Sequence, residues 1–521
     1  MSNTAQIMRL HHLIQSIPEL DLGGLADLEI KALTADSRQV LPGSMFVAVR
    51  GTVSDGHEYL PEAVSRGATA LMGEEPDPSL GVPYLRVRDS RECLAHLAAA
   101  WYGNPSRKLV MVGVTGTDGK TTTVNLIYHI LQAAGFKVGM ITTVNAVIGE
   151  RTLDTGLHVT TPDALDTQKY LSQMVEVGMT HCVIEATSHG IAQRRIAACD
   201  FDIAAITNIT HEHLDYHGSY EAYRAAKGDL FAWLGEGEEK EGGPGKTAIL
   251  NITDTSYEFL KSITTVRQVT YGLEPGGDVF ADGCSSNVEG LEFVAHGRGY
   301  DIQVRSPLIG GFNLQNCLAA FTTTVHGLGI SPENAREGIS ALKCIPGRME
   351  LIDLGQAFLA IIDFAHTPNA LRKALETSRN LTGGRVIAVF GSAGLRDREK
   401  RRIMAEISAE MADLTVFTAE DPRTESLEDI LEEMTVGARG KGGVEGKTFY
   451  RVPDRGEALR LAVNHAEAGD LVISCGKGHE QSMCFDEIEY PWDDRIALRA
   501  ALAERLGIDG PSMPRLPTSP N

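Results

Sequence analysis

Short apolar runs and helical spacings alternate along this chain. Leu109 to Val114 is apolar throughout, as in a strand buried on both faces, and Val124, Ile127, Tyr128 and Leu131 then recur at helical spacing. Between them lies Thr115-Gly116-Thr117-Asp118-Gly119-Lys120-Thr121-Thr122. His181 to Glu185 and Phe201 to Ile206 predict further strands, as do Phe358 to Asp363, Arg385 to Phe390, Leu414 to Phe417 and Leu471 to Ser474. Near the start, Met45 to Val49 and Ala68 to Met72 are strand-like and flank a helix with Leu60, Ala63 and Val64 on one face. Asp278 to Val304 alternates apolar and polar residues, which predicts a small antiparallel piece. Gly310 to Asn316 opens a helix running through Ala319, Ala320 and Thr324.

This order predicts an α/β protein of three domains. Residues 1–106 form a small mixed α/β N-terminal domain, and Asn104-Pro105-Ser106 is a hinge. Residues 107–345 form a central parallel-sheet domain with a phosphate-binding loop, ending at a second hinge, Ile345-Pro346-Gly347. Residues 346–521 form a doubly wound, Rossmann-like C-terminal domain. The Pro-rich tail GPSMPRLPTSPN is expected to be disordered.

Composition narrows the classes. The chain has 521 residues, 43% hydrophobic and 22% charged, as in an ordinary globular protein. It lacks an apolar run of membrane-spanning length and a signal-peptide pattern at its start. Its eight cysteines show no metal-ligand spacing, so reduced thiols in a cytoplasm are expected. The net charge of −21 argues against nucleic-acid or anionic-membrane partners.

Strand, glycine-rich turn, Gly-Lys-Thr and helix together predict an ATP site. The usual phosphate loop has glycine where this chain has Val114, its first glycine being Gly113. Gly116, Thr117, Asp118 and Gly119 would let backbone N–H groups and the helix N-terminus face an anion. Lys120 would reach the β- and γ-phosphates and the Thr121 hydroxyl would hold Mg²⁺, with Thr122 beside it. Ligands of open α/β sheets sit beyond the carboxyl ends of strands, which places Glu185 and the His211 to His217 segment near that loop. A carboxylate and an imidazole there could share Mg²⁺ with Thr121. On spacing alone these histidines are as readily structural as ligands, and Lys227 reads as a solvated helical lysine.

The segments GVTGTDGKTTT, EATSHGIAQRRI, TNITHEHLDYHGSYEAYRAAKGDLF, GGFNLQNCLAA, IPGRMELI, DFAHTP and GKGHE occur in order along nearly the whole chain. Together they resemble the Mur ligase family. The DSRQVLPGSMFVAVRGTVSDGHEYL start and the TTPDALD segment are similar to members that add the third peptide residue to UDP-N-acetylmuramoyl-L-alanyl-D-glutamate. The resemblance implies an ATP- and Mg²⁺-dependent ligase of cytoplasmic peptidoglycan precursor synthesis, taken to be a monomer. It implies that ATP phosphorylates the D-glutamate carboxylate and that an amine attacks the acyl phosphate. It implies Lys120, Glu185, His213 and Lys227 as catalytic, with Lys227 carbamylated and sharing the metal with Thr121, Glu185 and His213. Asn316, Arg348, Asp363 and His366 would complete the ATP site. Ser37, Thr52, Val53 and Ser54 would hold the UDP part, and Thr160, Thr161, Thr187, Gln193 and Arg195 the muramoyl-dipeptide.

Arg396, Asp421, Pro422, Arg423, Gly476 and Glu480 match the family's amino-acid contacts. Family members that use meso-diaminopimelate typically carry Asp-Asn-Pro-Arg, where this chain has Glu420-Asp421-Pro422-Arg423. Arg423 suits the distal carboxylate of diaminopimelate. Asp421, an anion in place of an amide, would favour the distal ammonium of lysine or ornithine. A diamino acid is therefore expected, with meso-diaminopimelate slightly favoured. Leu395 also departs from the family's usual Gly-Asp-Arg-Asp. Two rival readings are a folate-type ligase, folylpolyglutamate synthase, and a nucleotide-binding partner subunit without catalysis. The UDP-type first domain speaks against the first, and the joint presence of Lys120, Glu185, His213 and Lys227 against the second.

Overall fold

The structure is a computed structural model, and it describes residues 7–17, 26–51, 54–154, 161–210 and 214–520. Thr52, Val53, Thr160 and His213 lie outside the described residues. The chain divides into two compact units, residues 1–270 with 322–330, and residues 271–321 with 331–521. Among the described residues no helix is long and apolar enough to cross a membrane.

The first unit holds a small parallel sheet and a larger one that is parallel at its centre and antiparallel at the edge formed by Asn145–Ile148 and Arg151–Asp154. The smaller runs Ala32–Thr34, Ser44–Val47, Ala68–Gly73, Tyr84–Arg86 in spatial order, every pair parallel. Helix Ser90–Trp101 packs Leu94, Leu97 and Ala98 against Met45, Val47 and Met72. Asp89 caps that helix by accepting from the Arg91 and Glu92 N–H groups. In the larger sheet Val110–Thr115 is central, with His181–Glu185 and Ile203–Ile206 parallel on its two sides. Val138–Ile141 and Thr247–Asn251 continue the parallel order outward. These strands are buried on both faces, which is why they read as unbroken apolar runs. Gly113 belongs to this strand and not to the loop. A Cβ there would lie 2.9 Å from the Phe201 ring, so its glycine serves packing.

The second unit contains an antiparallel meander, Val279–Asn287, Gly290–Gly297 and Tyr300–Ser306, as the alternation at 278–304 predicts. Its main sheet runs Glu350–Leu351, Leu359–Asp363, Leu471–Cys475, Val386–Phe390, Leu414–Phe417, Phe449–Arg451 in spatial order. All pairs are parallel except the first. Helices Pro368–Leu381, Glu399–Met411, Leu427–Gly440 and Arg455–His465 connect the strands. Leu471–Cys475, the last of these strands in the chain, lies between Leu359–Asp363 and Val386–Phe390, and ligands of such sheets bind beyond the carboxyl ends of the strands.

Arg455 ties together the loops at the carboxyl ends of two of these strands. It is fully buried and pairs with fully buried Asp494 at 2.7 and 2.6 Å. It also donates to the carbonyls of Ala419 (3.1 Å) and Cys475 (2.8 Å), at the roots of two loops. Asp494 further accepts from Trp492 Nε1 and Ser474 Oγ, both at 2.8 Å. Removing one member of a buried pair strands the other charge and typically costs about 3–5 kcal/mol. Asp494→Ala should therefore lower the unfolding free energy obtained from urea titration by an amount in that range, whereas a loss under about 1 kcal/mol, the ceiling for a typical surface pair, would refute a load carried by the pair.

The tail departs from expectation. Leu516 is 6% exposed and belongs to the apolar cluster with Trp492, Leu498 and Leu502. The Thr518 and Ser519 hydroxyls donate to Asp454 Oδ2 at 3.0 and 2.8 Å. Proline content suggested disorder, but one leucine and two hydroxyls dock the segment.

Candidate active site

The phosphate loop joins strand Val110–Thr115 to helix Lys120–Ala133. It is held from behind by the segment after strand Ile203–Ile206. The Thr117 N–H donates to the Asn208 carbonyl (2.7 Å), and the Asp118 N–H to Asn208 Oδ1 (3.0 Å). Thr207 Oγ1 and Asn208 Nδ2 both donate to the Asp118 carbonyl, at 2.7 and 3.1 Å. Gly116 makes this possible, at a φ of +148° that favours glycine. A Cβ there would fall 1.8 Å from Thr207 Oγ1 and 3.1 Å from the Asn208 carbonyl. Backbone displaced or strained at such a position costs about 1–3 kcal/mol. Gly116→Ala should therefore weaken binding of a fluorescent ATP analogue at least about fivefold, and unchanged affinity in a folded variant would contradict this placement.

Lys120 opens the helix, and its Nζ donates to the Thr117 carbonyl at 2.7 Å. The Thr121 hydroxyl, also in the first turn, donates to Glu185 Oε2 at 2.9 Å. Glu185 is 3% exposed at the end of its strand, where the Thr143 N–H also approaches Oε2, at 3.3 Å. Thr122 is buried in the same turn.

Lys227 is on helix Tyr220–Glu236 and is 1% exposed, not solvated. Its Nζ donates to the Gly116 carbonyl at 2.5 Å and lies 4.6 Å from the centre of the Tyr223 ring. The Tyr223 hydroxyl in turn meets Thr117 Oγ1 at 3.0 Å. Lys227 thus backs the phosphate loop directly. Among the described residues no group of three or more His, Cys, Asp or Glu side chains is placed to hold a metal by itself.

A second group gathers just past Glu185. Thr187 caps helix Ser188–Ala192, and its hydroxyl shares a 2.8 Å hydrogen bond with Thr161. Arg195 donates to Gln193 Oε1 at 3.1 and 2.7 Å and to the Thr161 carbonyl. The structure therefore brings Thr161, Thr187, Gln193 and Arg195 together. Ser37 and Ser54 lie with the smaller sheet, Ser37 donating to Glu62 at 3.2 Å.

In the second unit, Arg348, Asp363 and His366 converge around Phe364. The Arg348 guanidinium carbon lies 4.3 Å from the centre of that ring, and the His366 ring centre lies 4.5 Å away. Asp363 accepts from the Met349 and Ala365 N–H groups, both at 2.8 Å, and so fixes the segment carrying Arg348. Asn316, in the first turns of helix Asn313–Thr322, donates to Asn313 Oδ1 at 2.8 Å.

The turn Glu420–Arg423 follows strand Leu414–Phe417. Asp421 and Arg423 both have positive φ, 41° and 53°. The turn is pinned by three hydrogen bonds, two to Gly394 and one to Cys484. The Gly394 N–H donates to the Asp421 carbonyl (3.0 Å), Arg423 Nη1 to the Gly394 carbonyl (3.0 Å), and the Arg423 N–H to the Cys484 carbonyl (3.1 Å). Pro422 is buried within it. Gly394 must be glycine, since a Cβ would lie 1.9 Å from the Pro422 carbonyl. Among the described residues no acid pairs with Arg423, while Arg396 is exposed on the neighbouring loop. Burial pushes the Glu420 carboxyl up to about 7, and a Cβ on Gly476 would meet its Oε2 at 2.2 Å.

Asp421 does not present a free anion. Lys477 Nζ lies 3.0 and 3.1 Å from its two oxygens, and the Cys484 N–H donates to Oδ1 at 2.9 Å. The Lys477 side chain is wholly buried and also meets Glu480 Oε2 at 2.5 Å. These two carboxylates hold its ammonium above the usual lysine range despite burial. Lys477 was not among the residues singled out by sequence, nor were Thr207, Asn208 and Thr143. Asn208 and Lys477 do lie inside the TNIT and GKGHE segments, which was the available signal.

Three family models match this chain: Mur ligase family, catalytic domain, at residues 29–102; Mur ligase middle domain at 114–324; and Mur ligase, glutamate ligase domain, at 347–478. A UDP-N-acetylmuramyl-tripeptide synthetase of Roseiflexus sp. (strain RS-1) is 42% identical over 511 residues, 96% of this chain and 100% of that protein. A UDP-N-acetylmuramoyl-L-alanyl-D-glutamate--2,6-diaminopimelate ligase of Geobacillus thermodenitrificans is 40% identical over 501 residues, 96% of this chain and 100% of its own length. A solved structure of a UDP-N-acetylmuramoyl-L-alanyl-D-glutamate--2,6-diaminopimelate ligase matches with a TM-score of 0.66 at 28% identity, covering 95% of this chain and 99% of that one.

Proposed function

Because this chain belongs to the Mur ligase family, we propose that its phosphate loop and the turn at Glu420–Arg423 serve one reaction, the joining of a diamino acid to UDP-N-acetylmuramoyl-L-alanyl-D-glutamate. The chain is an ATP-dependent amide-bond ligase of peptidoglycan precursor synthesis, and its amino acid is meso-diaminopimelate. The observation that carries the reading is the loop itself, with Lys120 at a helix N-terminus and the Thr121 hydroxyl against buried Glu185.

Gly116 to Thr122 bind the ATP phosphates through backbone N–H groups, and Lys120 neutralises the γ-phosphate. An oxygen of the D-glutamate carboxylate attacks the γ-phosphorus, and ADP leaves. The amine of the incoming amino acid then attacks the carbonyl carbon, loses a proton, and expels phosphate. Positioning and charge neutralisation supply most of the acceleration of such transfers. Arg195, braced by Gln193 and Thr161, supplies the local cation that an acidic protein needs for an anionic dipeptide.

Thr121 and Glu185 offer two hard oxygen donors 2.9 Å apart beside the loop, a set that suits Mg²⁺ completed by phosphate oxygens and water. When bound, Mg²⁺ supplies neutralisation of the charge on the phosphoryl group in transfer. His213 and a carbamylated Lys227 are assigned to the same neighbourhood. Addition of CO₂ to the neutral Lys227 amine, with loss of one proton, would make it an anionic oxygen ligand at the back of the loop. Asn316, Arg348, Asp363 and His366 are assigned to the nucleotide, and Ser37, Thr52, Val53, Ser54, Thr160 and Thr187 to the UDP-dipeptide. Arg396, Pro422, Arg423, Gly476 and Glu480 are assigned to the amino acid, with Asp421 as part of the turn. We assign three domains at 1–106, 107–345 and 346–521, a monomeric state and a cytoplasmic location.

Phosphate release tests the reading. It should require both UDP-N-acetylmuramoyl-L-alanyl-D-glutamate and a diamino acid. Release that continues with either one omitted, or never begins, would refute it.

A further inference from the structure

We propose that Lys477 is a positioning residue for amino-acid choice, cancelling the Asp421 carboxylate so that the site can accept a distal carboxylate. The proposal rests on the ligase reading above and deepens it.

Charge is the starting point. An unpaired carboxylate at position 421 would attract a distal ammonium and repel a distal carboxylate. In the structure both Asp421 oxygens are already committed. Lys477 approaches them at 3.0 and 3.1 Å, and the Cys484 N–H takes Oδ1 at 2.9 Å. Lys477 has no exposed side-chain surface, so it cannot exchange this partner for solvent. Lys477 thus cancels the charge of Asp421, and with Glu480 on the same ammonium (2.5 Å) the three groups carry one net negative charge, as Glu480 beside an amide would. Geometry keeps it so. The positive φ of Asp421 and the Gly394 N–H on its carbonyl fix the turn, while Gly476, at a φ of +105°, delivers Lys477 from the next loop. Arg423, with no acidic partner among the described residues, then sets the sign presented to the distal group. Glu480, the other carboxylate on Lys477 (2.5 Å), limits how far the lysine can swing from Asp421.

The test compares kcat and KM for meso-diaminopimelate and lysine in the full-length enzyme. The variants are Lys477→Gln, Asp421→Asn and the two combined. Lys477→Gln keeps a hydrogen-bond donor and removes only the charge. Stranding a close charge pair typically costs twentyfold or more in affinity, so the diaminopimelate-to-lysine ratio of kcat/KM should fall at least about tenfold, mainly through KM. Asp421→Asn should move the ratio the other way, at least about threefold, because the group loses one negative charge while Lys477 stays paired with Glu480. The double variant removes one charge of each sign, leaves the net charge of the Asp421, Lys477 and Glu480 group unchanged, and should return the ratio to within about threefold of the unmutated enzyme. If Lys477→Gln does not fold, Asp421→Asn and the double variant decide alone. A double variant that keeps the raised ratio of Asp421→Asn would mean that Asp421 acts on the substrate directly and would overturn the proposal. So would equal losses for both amino acids in Lys477→Gln, the sign of a purely structural lysine. Failure of the unmutated enzyme to release phosphate with any diamino acid would instead overturn the ligase reading, and the role of Lys477 with it.

Discussion

Lys227→Ala is expected to lose ligation by at least about a hundredfold, the usual loss when one charge-stabilising group is removed from a transfer site. The expectation follows from where the lysine sits. Its ammonium is buried against the Gly116 carbonyl at 2.5 Å, and its helix touches the loop again through Tyr223 and Thr117. A residue so close to the phosphate loop can act on the transferred group in a way a solvated lysine cannot. If its working form is the carbamate, bicarbonate or a short carboxylic acid added to Lys227→Ala should restore part of the rate, since either brings back an anionic oxygen donor. The measurement is kcat for phosphate release, with and without the added acid. An uncomplemented variant of full activity would remove Lys227 from the mechanism. A dead variant that no acid revives would leave it a structural brace for Gly116.

Arg423→Ala should lower kcat/KM for meso-diaminopimelate by more than about tenfold and leave lysine nearly unaffected. Losing one partner of a buried charged hydrogen bond costs about 2–5 kcal/mol, or roughly thirtyfold and upward. Arg423 is held by its own N–H on the Cys484 carbonyl and by Nη1 on the Gly394 carbonyl, which leaves the rest of its planar donor fork for a carboxylate. Lysine has no distal carboxylate to lose. Equal losses for the two amino acids would show that Arg423 shapes the turn and does not read the substrate.

Much of the fold could be read from the chain because its central strands are buried on both faces. Val110–Thr115, His181–Glu185 and Leu471–Cys475 are apolar runs for that reason. The loop at Gly116 to Thr122 was equally plain, since few other structures need glycines before Lys-Thr at the start of a helix. What the chain concealed was pairing across distance. Asp421 looked like a free anion because its partner, Lys477, is 56 residues away, and no local spacing announces the pair. Arg455 gave no signal for the same reason, Asp494 being 39 residues on. Lys227 looked solvated because the residues before it are those of an ordinary surface helix; only the tertiary fold buries it. The tail misled through composition, since proline lowers the odds of regular structure but does not prevent a single leucine from docking. The glycine at Gly113, inside the strand, likewise answers to a distant partner, the Phe201 ring beside it.

The central claim is that a carboxylate of the nucleotide substrate is activated by phosphorylation and then captured by an amine. Oxygen tracing tests this most directly. The D-glutamate carboxylate of UDP-N-acetylmuramoyl-L-alanyl-D-glutamate is labelled with ¹⁸O, and the enzyme is run with ATP, Mg²⁺ and meso-diaminopimelate. The oxygen that attacks phosphorus must leave with it, so each amide formed should release one phosphate carrying one labelled oxygen. Unlabelled phosphate accompanying amide formation, or phosphate with no amide product, would contradict the account.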